Sequence, residues 1–259
     1  MGIAQSVGEG GINNRNDAVV VQTLLNYGRP PPLPPIAVDG SVGKGTKDAI
    51  REFQTRVLKS AKPDGRVDPG GTTLTELRKA IPKGPIDAVK LRGVLPGATP
   101  AKISLYLAPL LKGMTARAIN TNLRQAHFLA QLGHESGAFV FAEEIASGEA
   151  YEGRADLGNT QEGDGRRFKG RGLIQLTGRA NYTAYGAAIG KDLLTQPELV
   201  ATDPLLAVDV ACWFWETHKI NTLADADDIQ AVTRRINGGL NGLADRQAYL
   251  RRAKFFLGL

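Results

Sequence analysis

The chain has 259 residues, of which 42% are hydrophobic and 22% charged, so it is long enough for two domains with ordinary globular cores. No apolar run approaches the roughly 18 residues that a membrane span needs, so we predict no transmembrane helix and no stable membrane insertion. The single cysteine, Cys212, excludes an intramolecular disulfide, and its apolar surroundings predict a buried thiol rather than a nucleophile.

The net charge of +6 is spread along the chain. Residues 1–82 contain 11 Lys and Arg against 8 Asp and Glu, and the remainder contains 21 against 18, so each part carries +3. There is no concentrated basic tail, and a diffuse positive field favours a large anionic partner in general: a cell wall, a nucleic acid and an anionic membrane all qualify. The first 17 residues lack the basic and apolar segments of a secretory signal peptide, so synthesis in the cytoplasm without such a peptide is expected.

The first helix follows a Gly- and Asn-rich stretch, residues 1–14, that we predict to be poorly ordered. Asn16 and Asp17 have the character of an N-cap, and the apolar spacing after them predicts a helix that ends near Tyr27. Five prolines within residues 30–35 predict a stiff, polyproline-like loop.

An internal repeat follows the proline-rich loop. Residues 39–46 introduce a predicted helix over 47–59, and residues 64–72 introduce a shorter one over 73–80. Each unit has an Asp-Gly turn, an apolar valine, a glycine-containing loop and a threonine that we predict to be the N-cap. The sequence therefore predicts a small helical module built from two similar turn–helix units.

These segments resemble a small three-helix peptidoglycan-binding domain. The matching stretches are QTLL at 22–25, VDGSVGKGT at 38–46, AIREFQ at 49–54 and DGRV at 64–67. The resemblance covers about residues 12–81 and implies a wall-binding domain over residues 1–82. A run of Pro and Gly then predicts an irregular linker over 83–99 and a second domain over 100–259.

The second domain is predicted to be mostly helical. Its predicted helices span residues 101–111, 122–133, 181–189, 204–217, 229–236 and 244–257. The predicted N-cap of the second of these is Thr121 or Asn122. Only residues 173–177 have the character of a short extended run. Trp213, Phe214 and Trp215 lie in an apolar helix, which favours core packing over stacking on a sugar.

Glu135 follows an apolar helix and precedes a Ser-Gly pair. A carboxyl at the end of a buried helix is partly withdrawn from water, which favours its protonated form. A protonated carboxyl can act as a general acid and donate a proton to a leaving glycosidic oxygen. A solvated glutamate at a helix end is the alternative that position alone leaves open.

Glu143 and Glu144 follow eight and nine residues after Glu135. Adjacent glutamates are typical of a solvated helix end, but one that turns inward could activate a water molecule as a general base. Hydrolysis with inversion separates its two carboxyl groups by about 6.5–9.5 Å so that this water fits between them. The pair is therefore a candidate for the second carboxylate.

Several motifs in order give the second domain a resemblance to family 19 glycoside hydrolases, which are chitinase-like enzymes with a lysozyme-related fold. The motifs are HESG at 134–137, EEI at 143–145, GRGLIQLT at 170–177, NY at 181–182, LVATDP at 199–204, WFW at 213–215 and INGG at 236–239. The resemblance covers about residues 120–259. It implies hydrolysis of a glycosidic bond in one displacement with inversion, without a cofactor or a metal.

The resemblance also implies roles for single residues. Glu135 matches the general acid, Glu144 the general base of the compact bacterial members, and Thr177 a residue whose hydroxyl helps to hold the attacking water. Sugar-binding amides match Gln175, Asn181 and Asn237, and Arg246 matches an arginine that supports the network of the catalytic acid in the substrate site.

Three departures from the family pattern leave alternatives open. The chain lacks the long loop and the disulfides of the plant enzymes, and position 173 is Leu where chitinases commonly have Pro. Residues 151–159 resemble the lysozyme-like branch found in phage endolysins. Glu152 within that segment is therefore a second candidate for the base. His134 and Glu135 do not form a zinc-binding HExxH motif, because position 138 is Ala.

The sequence thus predicts a mainly α-helical protein with two domains, which resembles a modular phage endolysin of a Gram-negative host. Its expected partner is peptidoglycan, and we expect no nucleic-acid partner. We expect the protein, as a monomer, to cleave β-1,4 bonds between amino sugars in the periplasm after its release from the cytoplasm. The alternatives are a chitinase, a non-catalytic wall-binding component of a delivery machine and a lytic transglycosylase.

Overall fold

A computed structural model describes residues 2–29 and 32–259, so Met1 and the first two positions of the proline-rich loop lie outside the description. The mainly helical fold class is confirmed. No helix within the described ranges combines the length and the apolar character that crossing a membrane requires. The chain forms two compact units: unit 1 contains the residues up to Gly97 together with Ala248–Leu259, and unit 2 contains Ala98–Gln247.

Unit 1 is a small helical unit with one pair of short strands. Its elements are β1 (Val7–Gly8), α1 (Arg15–Tyr27), α2 (Lys44–Arg56), β2 (Arg66–Val67), α3 (Thr72–Lys79), α4 (Ala88–Val94) and the C-terminal part of a last helix. The strands pair antiparallel, with Val7 opposite Val67. Apolar side chains of α1, α2 and α3 fill the core, and they include Val20, Leu24, Ile50, Phe53, Leu74 and Leu77.

The stretch before α1 is more ordered than its composition predicts. It contributes β1, and buried Asp17 accepts hydrogen bonds from the backbone N–H groups of Ala4 and Gln5. The N-cap of α1 is Asn14, whose side chain accepts from the N–H of Asn16. The predicted cap position was therefore wrong because Asp17 is used to anchor the N-terminal strand instead.

The internal repeat is visible as two copies of one hydrogen-bond pattern. Gln22 in α1 and Gln54 in α2 are both buried, and each side chain hydrogen-bonds to the Asp-Gly loop that follows its helix in the chain. The predicted threonine N-caps are wrong, since the caps are Gly43 and Gly71 without side-chain hydrogen bonds. Thr46 instead accepts from Gln22 at 3.2 Å, because the threonine side chain points into the unit.

Residues 83–99, predicted to be an irregular linker, contain helix α4. Asp87 is its N-cap, and its carboxylate accepts from the N–H of Lys90 and from the hydroxyl of Tyr27. Leu91 and Val94 are buried. This segment is therefore part of the core of unit 1, and the prediction of irregular chain fails for Ala88–Val94.

Unit 2 is built from helices joined by turns. It contains α5 (Pro100–Ala116), α6 (Asn122–Glu135), α7 (Asp164–Arg167), α8 (Arg179–Ile189), α9 (Leu199–Thr202), α10 (Pro204–Thr217), α11 (Ile220–Asp225), α12 (Ile229–Asn237) and the start of α13 (Leu243–Leu257). Two 3-10 turns, Glu149–Tyr151 and Ala155–Leu157, lie between α6 and α7.

Helix α10 occupies the centre of unit 2. Trp215 is fully buried and meets the ring of Phe128 on α6 edge-on, with centroids 5.2 Å apart, as the sequence predicted for an apolar helix. Cys212 is also fully buried, and burial raises the pKa of its thiol. A Cβ on Gly113 would lie 2.9 Å from the Sγ of Cys212, so Gly113 permits the close approach of α5, which continues past its predicted end at residue 111.

The predicted extended run at 173–177 is a tight turn. Arg171 and Leu176 form a bridge across it, with N–H to O distances of 3.1 and 2.7 Å. Gly172 and Gln175 both have positive φ, at 80° and 58°, which reverses the chain within a few residues. The apolar character of this run therefore reflects burial of a turn rather than a strand.

Candidate functional site

Glu135 is the last residue of α6, and Thr121 caps the start of that helix as predicted. Its carboxylate side chain is 20% exposed and accepts a hydrogen bond of 2.6 Å from the guanidinium of Arg246 on α13. The helix thus delivers one partly accessible carboxyl group to the surface of unit 2.

Arg246 lies beneath this carboxyl and is only 1% exposed. Its other nitrogens donate to the side-chain oxygen of Gln131, one turn earlier on α6, and to the backbone oxygen of Asn241. Because it is buried, Arg246 is placed to orient Glu135 rather than to touch a sugar directly.

The backbone turns abruptly after Glu135. Gly137, Ala138 and Phe139 have φ angles of 57°, 57° and 68°, so three consecutive residues are left-handed. This conformation is costly for residues with a Cβ. It is held by the buried side chain of Phe139, whose ring lies 5.2 Å from that of Tyr106, and by the Oγ of Ser136, which accepts from the N–H of Phe139.

A cleft of about 190 Å³ opens beside Glu135. The predicted site residues that line it with Glu135 are Gln175, Thr177, Asn181 and Asn237. Apolar side chains complete the wall, and they are Leu157, Ile174, Leu176, Phe214 and Ile236. The end of α6, the turn over 173–177, α8 and the end of α12 therefore bring one carboxyl, one hydroxyl and three amides to a single cleft. This set of polar groups suits the recognition of a sugar chain.

The polar side chains of the cleft also hold its loops. Thr177 donates from its hydroxyl to the backbone oxygen of Gln175 at 2.9 Å, and Gln175 donates to Gly172 at 3.0 Å. Asn181 donates to the backbone oxygen of Thr177 at 2.7 Å, and Asn237 donates to that of Asn241 at 3.3 Å. These bonds fix the side chains before any substrate arrives.

The predicted base, Glu144, does not line this cleft, but its carboxylate lies near Gln175, which does, on the segment that contains Gly170. Its backbone N–H donates to the oxygen of Gly170 at 2.9 Å. A Cβ on Gly170 would lie 2.8 Å from Gln175 Oε1 and 3.0 Å from Glu144 Oε2, so the absence of a side chain there lets the carboxylate and the amide approach each other. Burial raises the pKa of Tyr182 to about 12, so its hydroxyl stays protonated and donates to Lys169, which fixes this segment.

The two other candidates for the base, Glu143 and Glu152, each bind other groups of the protein. Glu143 accepts from Arg171 at 2.9 Å and pairs with Lys169 at 3.3 Å. Glu152 accepts from the N–H groups of Gly163 and Gly165 at 2.7 and 2.8 Å, where it stabilises the start of α7. Glu144 accepts instead from the hydroxyl of Tyr151, which is an uncharged donor.

His134 supports the site from the side of the last helix. Its Nδ1 lies 2.8 Å from the carboxylate of Asp245, and its ring packs on Gly242. A Cβ on Gly242 would lie 2.1 Å from that ring, and the φ of Gly242 is 71°, so glycine is required there. This contact fixes α13, and with it Arg246, against the end of α6.

The sequence analysis missed Gln131 and Tyr151, and it assigned Phe214 to the core although Phe214 lines the cleft. Gln131 and Tyr151 contact the two carboxyl-bearing residues or their partners, and Phe214 lines the cleft while its ring stacks on His218 at 3.8 Å. The apolar spacing of α6 places Gln131 on a buried face, where an amide is unusual. That contrast was the available signal for Gln131, whereas Tyr151 lies in a loop without periodicity.

Unit 1 has its own groove of about 210 Å³. Side chains of the first Asp-Gly loop and its surroundings line it, among them Gln22, Asp39, Ser41 and Thr46. Within residues 2–29 and 32–259, no three His, Cys, Asp or Glu side chains come together in a way that could hold a metal ion.

Comparison with known proteins places unit 2 among carbohydrate-active proteins. A family model described as chitinase class I matches residues 116–239. A glycosyl hydrolase family 19 domain-containing protein of Haemophilus influenzae is 37% identical over an alignment of 155 residues, and the match covers 48% of this chain and 75% of that protein. An endochitinase of Arabidopsis thaliana is 41% identical over 114 residues, or 44% of this chain and 38% of that protein.

Two solved structures share the fold. Chitinase C from Streptomyces griseus has a TM-score of 0.56 at 23% identity, covering 67% of this chain and 92% of that one. A family 19, class IV chitinase from Zea mays has a TM-score of 0.55 at 24% identity, covering 67% and 93%. At this identity the likeness establishes the fold alone. The chain spans three quarters of the Haemophilus protein but less than half of the Arabidopsis endochitinase.

Proposed function

The chain belongs to glycosyl hydrolase family 19, and we propose that it hydrolyses β-1,4 bonds between the amino sugars of bacterial peptidoglycan. The observation that carries this proposal is the cleft beside Glu135, where a carboxyl group held by a buried arginine faces a hydroxyl and three amides. A glycosidic bond placed there would meet a proton donor and several groups able to hydrogen-bond a sugar.

In the proposed reaction, Glu135 protonates the leaving glycosidic oxygen while Arg246 and Gln131 keep its carboxyl in place. Glu144 accepts a proton from the water that attacks the anomeric carbon from the opposite face, which inverts its configuration. Thr177 helps to position that water, and Gln175, Asn181 and Asn237 hold the sugar rings.

Unit 1 supports peptidoglycan rather than a soluble oligosaccharide as the substrate. We propose that its groove binds the wall and that the chain acts as a monomeric phage endolysin in the periplasm of a Gram-negative host. Holding a repeating polymer raises the local concentration of bonds near the cleft without any new catalytic contact.

A chitinase is the second candidate, and it is favoured by the endochitinases among the similar plant proteins. Chitin and peptidoglycan share the β-1,4-linked amino-sugar backbone, so the polar side chains of the cleft suit both. A non-catalytic wall-binding role for the whole chain is a third candidate, in which the cleft binds sugars without turnover.

Digestion of purified peptidoglycan and of chitin oligomers, with mass spectrometry of the products, separates these functions. We expect peptidoglycan fragments that each carry one added water, and Glu135→Gln should abolish lysis while wall binding persists. Glu162→Gln changes an exposed glutamate of the same unit and should remain active. Turnover of chitin alone would overturn the proposed substrate, and anhydro-sugar products would identify a lytic transglycosylase.

The assignment of the base is tested by comparing three variants. Glu144→Gln should lower kcat by roughly 100-fold or more, the contribution typical of a general base. Glu143→Gln and Glu152→Gln should mainly lower stability, because these carboxylates hold Arg171 and the start of α7. A larger loss of kcat in either of these variants than in Glu144→Gln would move the role to that residue.

A further inference from the structure

Tyr151 lies at the end of the 3-10 turn Glu149–Tyr151, and its hydroxyl is 3.0 Å from Oε2 of Glu144. An ionised carboxylate can only accept hydrogen bonds, so the tyrosine is the donor. Partial burial and the neighbouring carboxylate raise the pKa of Tyr151, which keeps the phenol protonated and able to donate well into the alkaline range.

The backbone of Tyr151 is fixed independently of Glu144. Its N–H donates to the oxygen of Gly148 at 2.9 Å, and its own oxygen accepts from the side chain of buried Asn159 at 2.9 Å. Asn159 in turn accepts from the N–H of Arg179 at the start of α8. The hydroxyl is therefore held at its position by a rigid loop.

Tyr151 donates a hydrogen bond to only one of the two carboxylate oxygens of Glu144. Oε2 accepts the hydroxyl, whereas Oε1 is buried and accepts no hydrogen bond from any residue in the described ranges. A buried carboxylate oxygen left in this way is costly unless the reaction uses it. Tyr151 thus anchors one oxygen, and the other accepts no hydrogen bond from the described residues.

The charged side chains near Glu144 do not donate to its carboxylate as Tyr151 does. Lys169 donates to the backbone oxygen of Glu144 at 3.3 Å and pairs with the carboxylate of Glu143, which also takes Arg171. Within the described residues, Tyr151 is consequently the only side chain that donates to the Glu144 carboxylate. On the opposite side, Gly170 leaves room that a Cβ would take, 3.0 Å from Oε2.

We propose that Tyr151 is a positioning residue, which donates to Oε2 of Glu144 and so holds the carboxylate of the base in one orientation. This inference rests on the proposed function, in which Glu144 is the base. Tyr151 neither gains nor loses a proton in the reaction. Its contribution is to keep the base in one orientation, which lowers the barrier of the step that the base assists.

The test is Tyr151→Phe, which removes the donor and keeps the ring. We expect kcat on a soluble amino-sugar oligomer to fall about tenfold with KM unchanged, because the hydrogen bond orients the base and does not touch the sugar. Tyr185→Phe is the matched control, since its hydroxyl also donates to a carboxylate, that of Asp209, in the core of unit 2. Kinetics are normalised to the folded fraction, measured by thermal unfolding. An unchanged kcat, or a change in KM alone, would overturn the proposal.

A double-mutant cycle with Glu144→Ala separates this inference from the proposed function. If Tyr151 acts through Glu144, Tyr151→Phe should cause no further loss in the Glu144→Ala background. A further tenfold loss there would show an independent role and overturn the inference. Full activity of Glu144→Ala itself would instead overturn the assignment of the base. If Glu144→Ala is inactive while Tyr151→Phe alone keeps the wild-type kcat, only the role of Tyr151 fails.

Discussion

Arg246 is a buried charged residue whose hydrogen bonds are satisfied beside the carboxyl of Glu135. Its planar guanidinium donates hydrogen bonds to Glu135, to Gln131 and to the backbone oxygen of Asn241, so each of its three nitrogens has a partner in the protein. The pairing lets one side of Glu135 remain accessible to the cleft while the other is fixed. The same hydrogen bonds therefore tie α6 to α13 and orient the carboxyl proposed as the acid.

Arg246→Lys should lower both activity and stability. A lysine keeps the charge but cannot reach the two side chains as a fork, so we expect kcat to fall at least about tenfold and the free energy of unfolding to fall by about 2 kcal/mol. Oligomer kinetics and urea unfolding measure the two effects. Arg251→Lys, at an exposed position of the same helix, should change neither. Wild-type values for Arg246→Lys would contradict the role given to its geometry.

The sequence could predict the acid side of the site better than the base side. Glu135 ends a helix with clear periodicity, and that helix and its cap were predicted and found. Glu144 lies among turns without regular secondary structure, where three glutamates are near in sequence and only their partners distinguish them. Those partners come from positions up to 28 residues away, so local patterns carry no information about them.

At the scale of elements, the repeated glutamine pattern explains how unit 1 holds its loops. Gln54 donates to Asp64 at 2.6 Å, to the oxygen of Arg66 and to Thr73, and it accepts from the N–H of Gly65. Gln22 makes the corresponding bonds with Asp39, Ser41, Thr46 and Gly40. The Asp-Gly turns were predictable from turn chemistry, but the threonine caps were not, because the glutamines compete for those hydroxyls.

Replacing either glutamine should destabilise unit 1 by a similar amount. Gln54→Leu and Gln22→Leu preserve the volume but leave buried loop groups unpaired, which costs about 2–3 kcal/mol each. Urea unfolding of the full chain measures the loss, and Gln5→Leu at an exposed position provides the comparison. A loss confined to one of the two variants would show that the repeat is not equivalent in energy.

Asp164 and Arg179 join α7 to α8 by an ion pair. Asp164 is buried, and the hydrogen bond from Arg179 holds the pKa of its carboxyl below the usual range. A group whose pKa is lower in the folded state adds stability above its unfolded pKa of about 3.9, and that stability disappears as the pH falls through the folded pKa.

Asp164→Asn should therefore reduce stability by about 2 kcal/mol at pH 7, with a difference from the wild type that shrinks below about pH 4. Thermal unfolding across this range measures the effect. Asp156→Asn removes an exposed partner of Arg154 and should have little effect at any pH. A constant difference between Asp164→Asn and the wild type would show that the charge of Asp164 is not what stabilises the pair.

At the scale of the molecule, unit 1 is discontinuous in sequence. Ala248–Leu259 belongs to it, and the rings of Phe255 and Phe256 pack where a Cβ on Gly2 or Gly93 would lie, at 2.8 and 2.1 Å. The sequence analysis assigned those residues to the second domain, because a helix pattern shows a buried face without showing what buries it. Hydrophobic periodicity predicted α13 itself well.

A fragment of residues 1–97 should consequently be less stable than the same fragment carrying 248–259 on a Gly/Ser linker. Loss of large buried aromatic side chains typically costs about 3–5 kcal/mol each, so the difference should be at least 3 kcal/mol. Unfolding of the two fragments in urea measures it. Equal stability would show that the core of unit 1 is complete without the last helix.

The return of the chain to unit 1 also sets an order on folding during synthesis. Ribosomes add roughly 5–20 residues per second, so the passage through Ala98–Gln247 delays the arrival of the closing segment by about 8–30 s. Unit 2 has all of its residues before unit 1 has its last. Unit 1 therefore begins to leave the ribosome before unit 2 but completes its core after it. Until its closing segment arrives, the apolar surface around Leu91 and Val94 stays exposed to chaperones.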